Sequence, residues 1–247
     1  MKLLVCISKA PDTTAKISFK DNNTAFNTDG VQFIINPYDE WYALVRALEI
    51  KEGLGSGTVT VINAGGPEND PIIRKALAIG ADDAVRINMV ETDALSIAQE
   101  IANYAREGGY DMVLTGKETI DYNGSQLSGM IAELLDWPSV SLASKMDLNG
   151  EALTIERDVQ GGKEIIEAST PLVISAAKGM AEARIPNMRG IMAARTKPLT
   201  VVEPISNQVF TKVRSYSLPP EKASCKYIDA ENPAELFDLL RNEAKIL

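Results

Sequence analysis

Three loops of this chain are built from small, amide and hydroxyl residues, and each follows a short apolar run. The first run ends at Cys6-Ile7-Ser8, another leads into Asn63-Ala64-Gly65-Gly66, and a third opens onto Gly116 to Gln126, GKETIDYNGSQ. Glycines let a backbone come close to a ligand, and the amides of a following helix N-terminus suit a phosphate. Asn123, Ser125 and Gln126 add neutral hydrogen-bonding groups at such a helix start. The chemistry indicated is nucleotide binding, although ordinary βα turns draw on the same residue types. Neither a Walker loop nor a GxGxxG fingerprint is present. Asp121 is out of keeping beside a phosphate; its alternatives are to orient a loop amide or ribose hydroxyl, or to cap the helix.

No nucleophile–base system accompanies these loops. The chain has no histidine, which removes the usual general acid/base near neutral pH and a common metal ligand. Ser-His and Cys-His pairs and His-ligated zinc are thereby excluded. Chemistry by Asp, Glu or Lys stays open, as does chemistry borrowed from a cofactor or partner. The two cysteines, Cys6 in an apolar run and Cys225 near the other end, do not suggest a disulfide framework. A net charge of −9 disfavours nucleic acid, which needs a concentrated basic surface. The local cluster Arg184, Arg189, Arg195 and Lys197 is too short to reverse that. No apolar run approaches the roughly 20 residues that span a bilayer. The start, MKLLVCISKAPD, turns polar too soon for a secretory signal, so a cytoplasmic location is expected.

The loops require strands and helices to carry them. At 247 residues the chain fits one large α/β domain, with or without an appendage. Leu3–Ser8, Thr58–Asn63, Asp83–Ile87 and Asp111–Leu114 read as strands. Between and after them, helices are expected over 38–53, 70–80 and 93–106, and up to Leu135. That alternation indicates βαβ units and a parallel sheet. Turn signals between Ile17 and Gly30 mark a small hairpin excursion. After Trp137-Pro138 the pattern changes to antiparallel strands, SVSLASKMDL, EALTIERDV and KEIIEAS, joined at Asn149-Gly150 and Gly161-Gly162. PLVISAA (Pro171 to Ala177) returns to a buried strand. The proline-bearing stretch from Pro186 to Pro220 has few core-like runs and suits an arm lying across another subunit. PAELFDLLRNEAKIL closes the chain as an amphipathic helix with Leu236, Leu239 and Leu240 on one face.

Several separate stretches resemble the electron transfer flavoprotein β-subunit family. The signature near the end of the core stands here as Arg157, Asp158, Val159, Gln160, Gly161, Gly162, Glu164 and then Pro171-Leu-Val-Ile, with Gln160 replacing an acidic residue. The resemblance extends to NPYDE (Asn36 to Glu40), KALAIGADDA (Lys75 to Ala84), GKETIDYNGSQ, LDWP (Leu135 to Pro138) and RIPNMRGIMAARTKPL (Arg184 to Leu199). It implies a Rossmann-like parallel sheet, of the adenine nucleotide alpha hydrolase-like kind, with an antiparallel hairpin insertion and an extended C-terminal arm ending in a helix. It also implies a nucleotide-binding domain over 1–190, with a recognition loop near 178–190, and an arm over 191–247 that packs on the α subunit.

The same resemblance implies a heterodimer whose α subunit holds the redox-active FAD. The β subunit would hold a structural AMP, or a second FAD as in flavin-bifurcating relatives. By motif, the cofactor-binding residues would be Cys6; Asn36, Pro37, Tyr38 and Asp39; Asn63, Ala64 and Gly65; and Gly116, Lys117, Glu118, Thr119, Ile120, Asp121, Tyr122, Asn123, Gly124, Ser125, Gln126 and Leu127. Ile185, with Pro186 and Asn187, occupies the recognition loop that anchors partner dehydrogenases of the acyl-CoA type; the alternative is that Ile185 packs into its own core. Asp158 falls on a carboxylate linked to the partner's mobile flavin domain, or is a hairpin-edge surface charge. Thr13 stands where some β subunits place a tyrosine near the α-subunit flavin. A reading of another class is a stand-alone nucleotide-binding regulatory module, which would have no use for the arm or the recognition-like loop.

Overall fold

The apolar run at the amino terminus becomes β1 (Lys2–Cys6), buried almost throughout, as a strand covered on both faces must be. In the computed structural model, which describes residues 1–90, 93–150, 152–206, 208–222 and 224–247, four short strands follow: β2 (Lys9–Pro11), β3 (Phe19–Lys20), β4 (Ala25–Phe26) and β5 (Phe33–Ile35). Then come α1 (Asp39–Leu54), β6 (Thr58–Ala64), α2 (Asp70–Ile79), β7 (Asp83–Ile87), α3 (Ala94–Gly108), β8 (Met112–Gly116) and α4 (Leu127–Leu135). The antiparallel insertion is β9 (Ser139–Asn149), β10 (Ala152–Val159) and β11 (Gly162–Ser169). The chain returns through β12 (Leu172–Ala176), α5 (Met188–Ala194) and β13 (Leu199–Val202), and ends in α6 (Pro233–Asp238) and a π-helical turn, Leu239–Glu243. Glu151, expected at the head of the second insertion strand, and Asn207 and Ala223, expected in the arm, lie outside the described residues.

Among the described residues the main sheet has nine strands in the order β11-β10-β9-β12-β8-β1-β6-β7-β13. β1 runs parallel to both β6 and β8, with Leu3 opposite Val59 on one side and Met112 on the other. β10 runs antiparallel to both β9 and β11, as the turn dipeptides predict. Side-chain alternation feeds two cores. Leu3, Val5, Met112 and Leu114 pack with Leu44, Leu48, Ile73 and Leu77 of α1 and α2 on one face. Leu4, Ile62, Val85 and Val113 pack with Ile101, Ala105, Ile131 and Leu135 of α3 and α4 on the other. After β1 the chain builds outward to β6 and β7, then crosses to β8 on the opposite side. The strand order therefore reverses between β1 and β8, which is where doubly wound sheets open a crevice.

The proline-bearing stretch holds two elements the sequence pattern did not mark. Asn187 caps the short α5 by accepting from the Gly190 N–H at 2.8 Å, and β13 extends the sheet beside β7. LTVV is too short and too exposed to stand out among its prolines. Beyond it the arm is tied down by two carboxylates of α3. Glu100 accepts from the Ile205 and Ser206 N–H groups, both at 2.8 Å. Asp93 caps α3 through Leu95 and Ser96 and also accepts from Phe210 N–H at 2.9 Å. Farther on, Tyr216 stacks on Phe19 of the small hairpin at 4.9 Å. Burial acts to raise the Asp93 pKa, but the N–H groups of Ser96 and Phe210 outweigh it and hold the group below its ordinary value of 3.8. Its contribution is therefore present above pH 3.8 and is lost as pH falls through the lower folded value. Asp93→Ala is expected to cost about 0.5–2 kcal/mol for the lost cap and to speed amide exchange over residues 205–211. Unchanged exchange there would show that the arm is held by other contacts.

Candidate functional site

The crevice between β1 and β8 is assembled by side chains that tie its loops together. Asn36, fully buried, is the hub. Its Nδ2 donates to the Glu118 carbonyl at 3.0 Å, and its Oδ1 accepts from Ile120 N–H at 2.9 Å. Its own N–H donates to the Ser8 carbonyl at 3.0 Å. One amide thus joins the loop after β1 to the loop after β8. Asn63 does the same on the other flank: its Nδ2 donates to the Ile7 carbonyl at 2.9 Å and its Oδ1 accepts from Asn69 at 3.0 Å. The Gly65 carbonyl is held by the buried Arg86, whose guanidinium also pairs with Asp70 at 2.8 Å.

Helix α1 closes the crevice from the first core face. Pro37 and Tyr38 lead into it, and Tyr38, at φ 67°, stands exposed at its N-cap. A non-glycine residue in that region is uncommon and is held by its surroundings. Asp39 and Glu40 follow, both buried. Glu40 accepts from Ser8 twice, N–H to Oε2 at 2.7 Å and hydroxyl to Oε1 at 2.8 Å. Burial pushes its pKa up to about 8; the Ser8 bonds oppose this, and the carboxylates of Asp121 and Asp39 add to it. Burial also raises Asp39, against the pull of Lys117. Ser8 stands in the first loop and Glu40 in the NPYDE stretch, but no local pattern pairs them; only the fold brings positions 8 and 40 into contact. Gly116 ends β8 against this helix. A Cβ there would lie 2.7 Å from Glu40 Cγ and 2.8 Å from its nitrogen, so Gly116→Ala is expected to cost about 1–3 kcal/mol by overpacking. A thermal midpoint equal to that of the parent protein would contradict this packing.

From Lys117 to Leu127 the loop swings outward and back into α4. Lys117 pairs with Glu118 at 3.2 Å, Ser125 donates to Glu118 at 3.1 Å, and Asn123 N–H donates to the Thr119 carbonyl. Asn123 and Ser125 both take positive φ, 48° and 49°. Tyr122 and Gly124 are exposed with them. Asp121 is not a helix cap: it is exposed, and the α4 N-cap is Gln126, whose side chain makes no cap bond. The first N–H groups of α4, from Leu127 on, thus open toward the loop without a side-chain acceptor from the cap.

The residues present fit a polar, anion-bearing ligand. Cys6 and Thr115 lie near the ends of adjacent strands on the face that carries α4, by the alternation that puts Leu4 and Val113 there. Thr115 Oγ1 is buried and has no hydrogen-bond partner among the described residues. Buried hydroxyls are rarely left so. A carboxyl at Glu40 that stays protonated near neutrality lessens the repulsion an anion would meet. Ala64 and Gly65 complete the wall after β6. The nucleotide contacts expected from the three loops and from Asn36 to Asp39 therefore gather at one end of the sheet.

The residues expected to meet partners lie elsewhere. Ile185 is 83% exposed, so it does not pack into its own core. Pro186 and Asn187 lead from it into α5. Asp158 sits opposite Lys163 near the turn joining β10 to β11, at the opposite sheet edge from β13, and is exposed.

A doubly wound sheet whose switch-point crevice is walled by glycine, amide and hydroxyl loops defines the class, and sequence comparison narrows it. The electron transfer flavoprotein domain matches residues 23–207. The electron transfer flavoprotein subunit beta of Bacillus subtilis strain 168 is 37% identical over 261 aligned positions that cover the whole of both chains. The subunit of that name from Syntrophomonas wolfei is 33% identical, across 100% of this chain and 98% of its own. The Homo sapiens subunit is 32% identical, across 83% of this chain and 82% of its own. This chain belongs to the electron transfer flavoprotein β-subunit family.

Proposed function

We propose that the chain binds AMP in the β1–β8 crevice and pairs with an FAD-bearing α subunit to form an electron carrier. What supports this most directly is the crevice itself: a buried Thr115 hydroxyl without a partner among the described residues and an α4 N-terminus without a side-chain cap, at the switch point of a family fold. Cys6, Asn36 to Asp39, Asn63 to Gly65 and Gly116 to Leu127 would hold the nucleotide. The AMP would be structural, since adenosine monophosphate has no redox chemistry. FAD in the α subunit supplies the electron-transfer chemistry.

This chain's residues then bind and position. Ile185 offers an exposed aliphatic anchor to acyl-CoA-dehydrogenase-type donors, and such anchors dominate interfaces when they fill a partner pocket. Asp158 meets the mobile flavin domain of the α subunit. A quinone-linked oxidoreductase or another acceptor takes the electrons onward. Heterodimer formation is supported by the arm, where Leu218, Tyr227, Phe237, Ile246 and Leu247 are all exposed. Helix α6 buries none of its residues within this chain, although its sequence is amphipathic. Among the described residues no helix is long and apolar enough to cross a membrane.

Co-expression with an α subunit tests the reading. A co-purifying pair with a flavin spectrum is expected, and truncation after residue 211 should abolish pairing. A chain that stays alone and binds ATP would instead support a regulatory module.

A further inference from the structure

Ile185 lies in a segment with neither helix nor strand, residues 182–187, yet its surroundings are fastened from both sides. The Arg184 guanidinium forks onto Glu52 of α1, Nη1 to Oε1 at 2.7 Å and Nη2 to Oε2 at 3.0 Å. The Arg184 carbonyl accepts from the Trp41 indole N–H at 3.2 Å. The Trp41 ring is itself covered by the Lys75 ammonium, 4.9 Å from the centroid. On the other side, Pro186 fixes its own φ, and Asn187 caps α5. Gly190 then packs so closely that a Cβ would lie 2.3 Å from the Ala78 carbonyl oxygen.

The Arg184–Glu52 pair does little for global stability. Both partners are open to solvent, 35% and 58% exposed, and solvent-accessible pairs contribute little. Their geometry has another consequence. A loop that is ordered before docking avoids the entropy cost of being ordered by the partner, and a bidentate fork restricts Arg184 more than a single contact would.

We propose that Glu52, Arg184 and Trp41 are positioning residues that hold Ile185 in its docking geometry before a partner arrives. The proposal rests on Ile185 being the docking anchor. Helix α1 thus serves two ends: its first turn closes the crevice through Asp39 and Glu40, and the same helix braces the docking loop through Trp41 and Glu52.

Amide exchange in the full chain tests the brace without any partner. Arg184→Ala and Glu52→Gln are expected to speed exchange over residues 182–187 while leaving α1, α5 and the thermal midpoint unchanged; Trp41→Phe should speed it too, with a lowered midpoint because its ring packs on the core. Exchange over 182–187 that is unaltered in all three would overturn the proposal. Docking is read with the heterodimer, using an acyl-CoA dehydrogenase that reduces the wild-type heterodimer as electron donor. Arg184→Ala and Glu52→Gln should raise the KM for heterodimer about two- to tenfold at constant kcat. The swapped pair Glu52→Arg with Arg184→Glu should restore it. Ile185→Ala separates the two ideas. If it raises KM while the brace variants do not, the brace is refuted and the anchor stands. If Ile185→Ala leaves KM unchanged, the anchor falls and the brace falls with it.

Discussion

Asn36→Leu is expected to detach the loop after β8 from the rest of the crevice, with a loss of about 2–6 kcal/mol of stability. The estimate follows from what the substitution strands. Leucine fills a similar volume, so no large cavity opens. It offers no partner to the Glu118 carbonyl or the Ile120 N–H, which Asn36 now satisfies at 3.0 and 2.9 Å. Each partly buried group left without a bond costs about 1–3 kcal/mol. The backbone bond from Asn36 to Ser8 survives, so the β1 loop should stay in place while residues 116–126 loosen. Urea unfolding should therefore show a lower midpoint with an unchanged slope. Nucleotide retention should fall about tenfold or more, since ~1.4 kcal/mol corresponds to each factor of ten. A variant with parental stability that keeps its nucleotide would mean that this loop is positioned by something other than Asn36.

Glu40→Gln should flatten the pH dependence of stability. Glu40 rises from an ordinary value of 4.5 to about 8 in the folded chain, chiefly through burial. Below pH 4.5 the carboxyl is protonated in both folded and unfolded states, and its favourable contribution is fully present. As pH rises toward 8 the unfolded chain releases the proton while the folded chain keeps it, so stability declines; above 8 the loss is complete. The magnitude is of the order of a few kcal/mol. Glutamine retains an oxygen to accept from Ser8 N–H and an amide to donate to the Ser8 hydroxyl, so the clamp survives without the titration. The variant should match the parent in acid and exceed it in stability near pH 8.5, read from urea midpoints across that range. Parallel profiles for the two proteins would contradict a buried, titrating Glu40.

What the sequence made legible here has a physical boundary. The parallel strands were readable because β1, β6, β7 and β8 are short apolar runs between helices with a clear apolar face, and the insertion was readable from Asn149-Gly150 and Gly161-Gly162. β13 was not, because its four residues lie at the sheet edge among prolines and only pairing with β7 makes them a strand. The same divide runs through the site. Small and amide residues marked the loops, but the bonds that assemble them (Asn36 to Glu118 and Ile120, Ser8 to Glu40, Asn63 to Ile7) span long sequence separations. Trp41 and Arg184 are 143 positions apart, and no local pattern connects them. For α6 the pattern predicts an apolar face, and no residue of that helix is buried within this chain.

The most direct test is to extract and weigh the small molecules carried by the purified heterodimer. One AMP and one FAD per pair are expected, with the AMP lost in Asn36→Leu while the FAD remains. Two FAD molecules per pair would place the protein with the bifurcating relatives. A pair that holds FAD and no adenine nucleotide in this chain would contradict the assignment of the β1–β8 crevice.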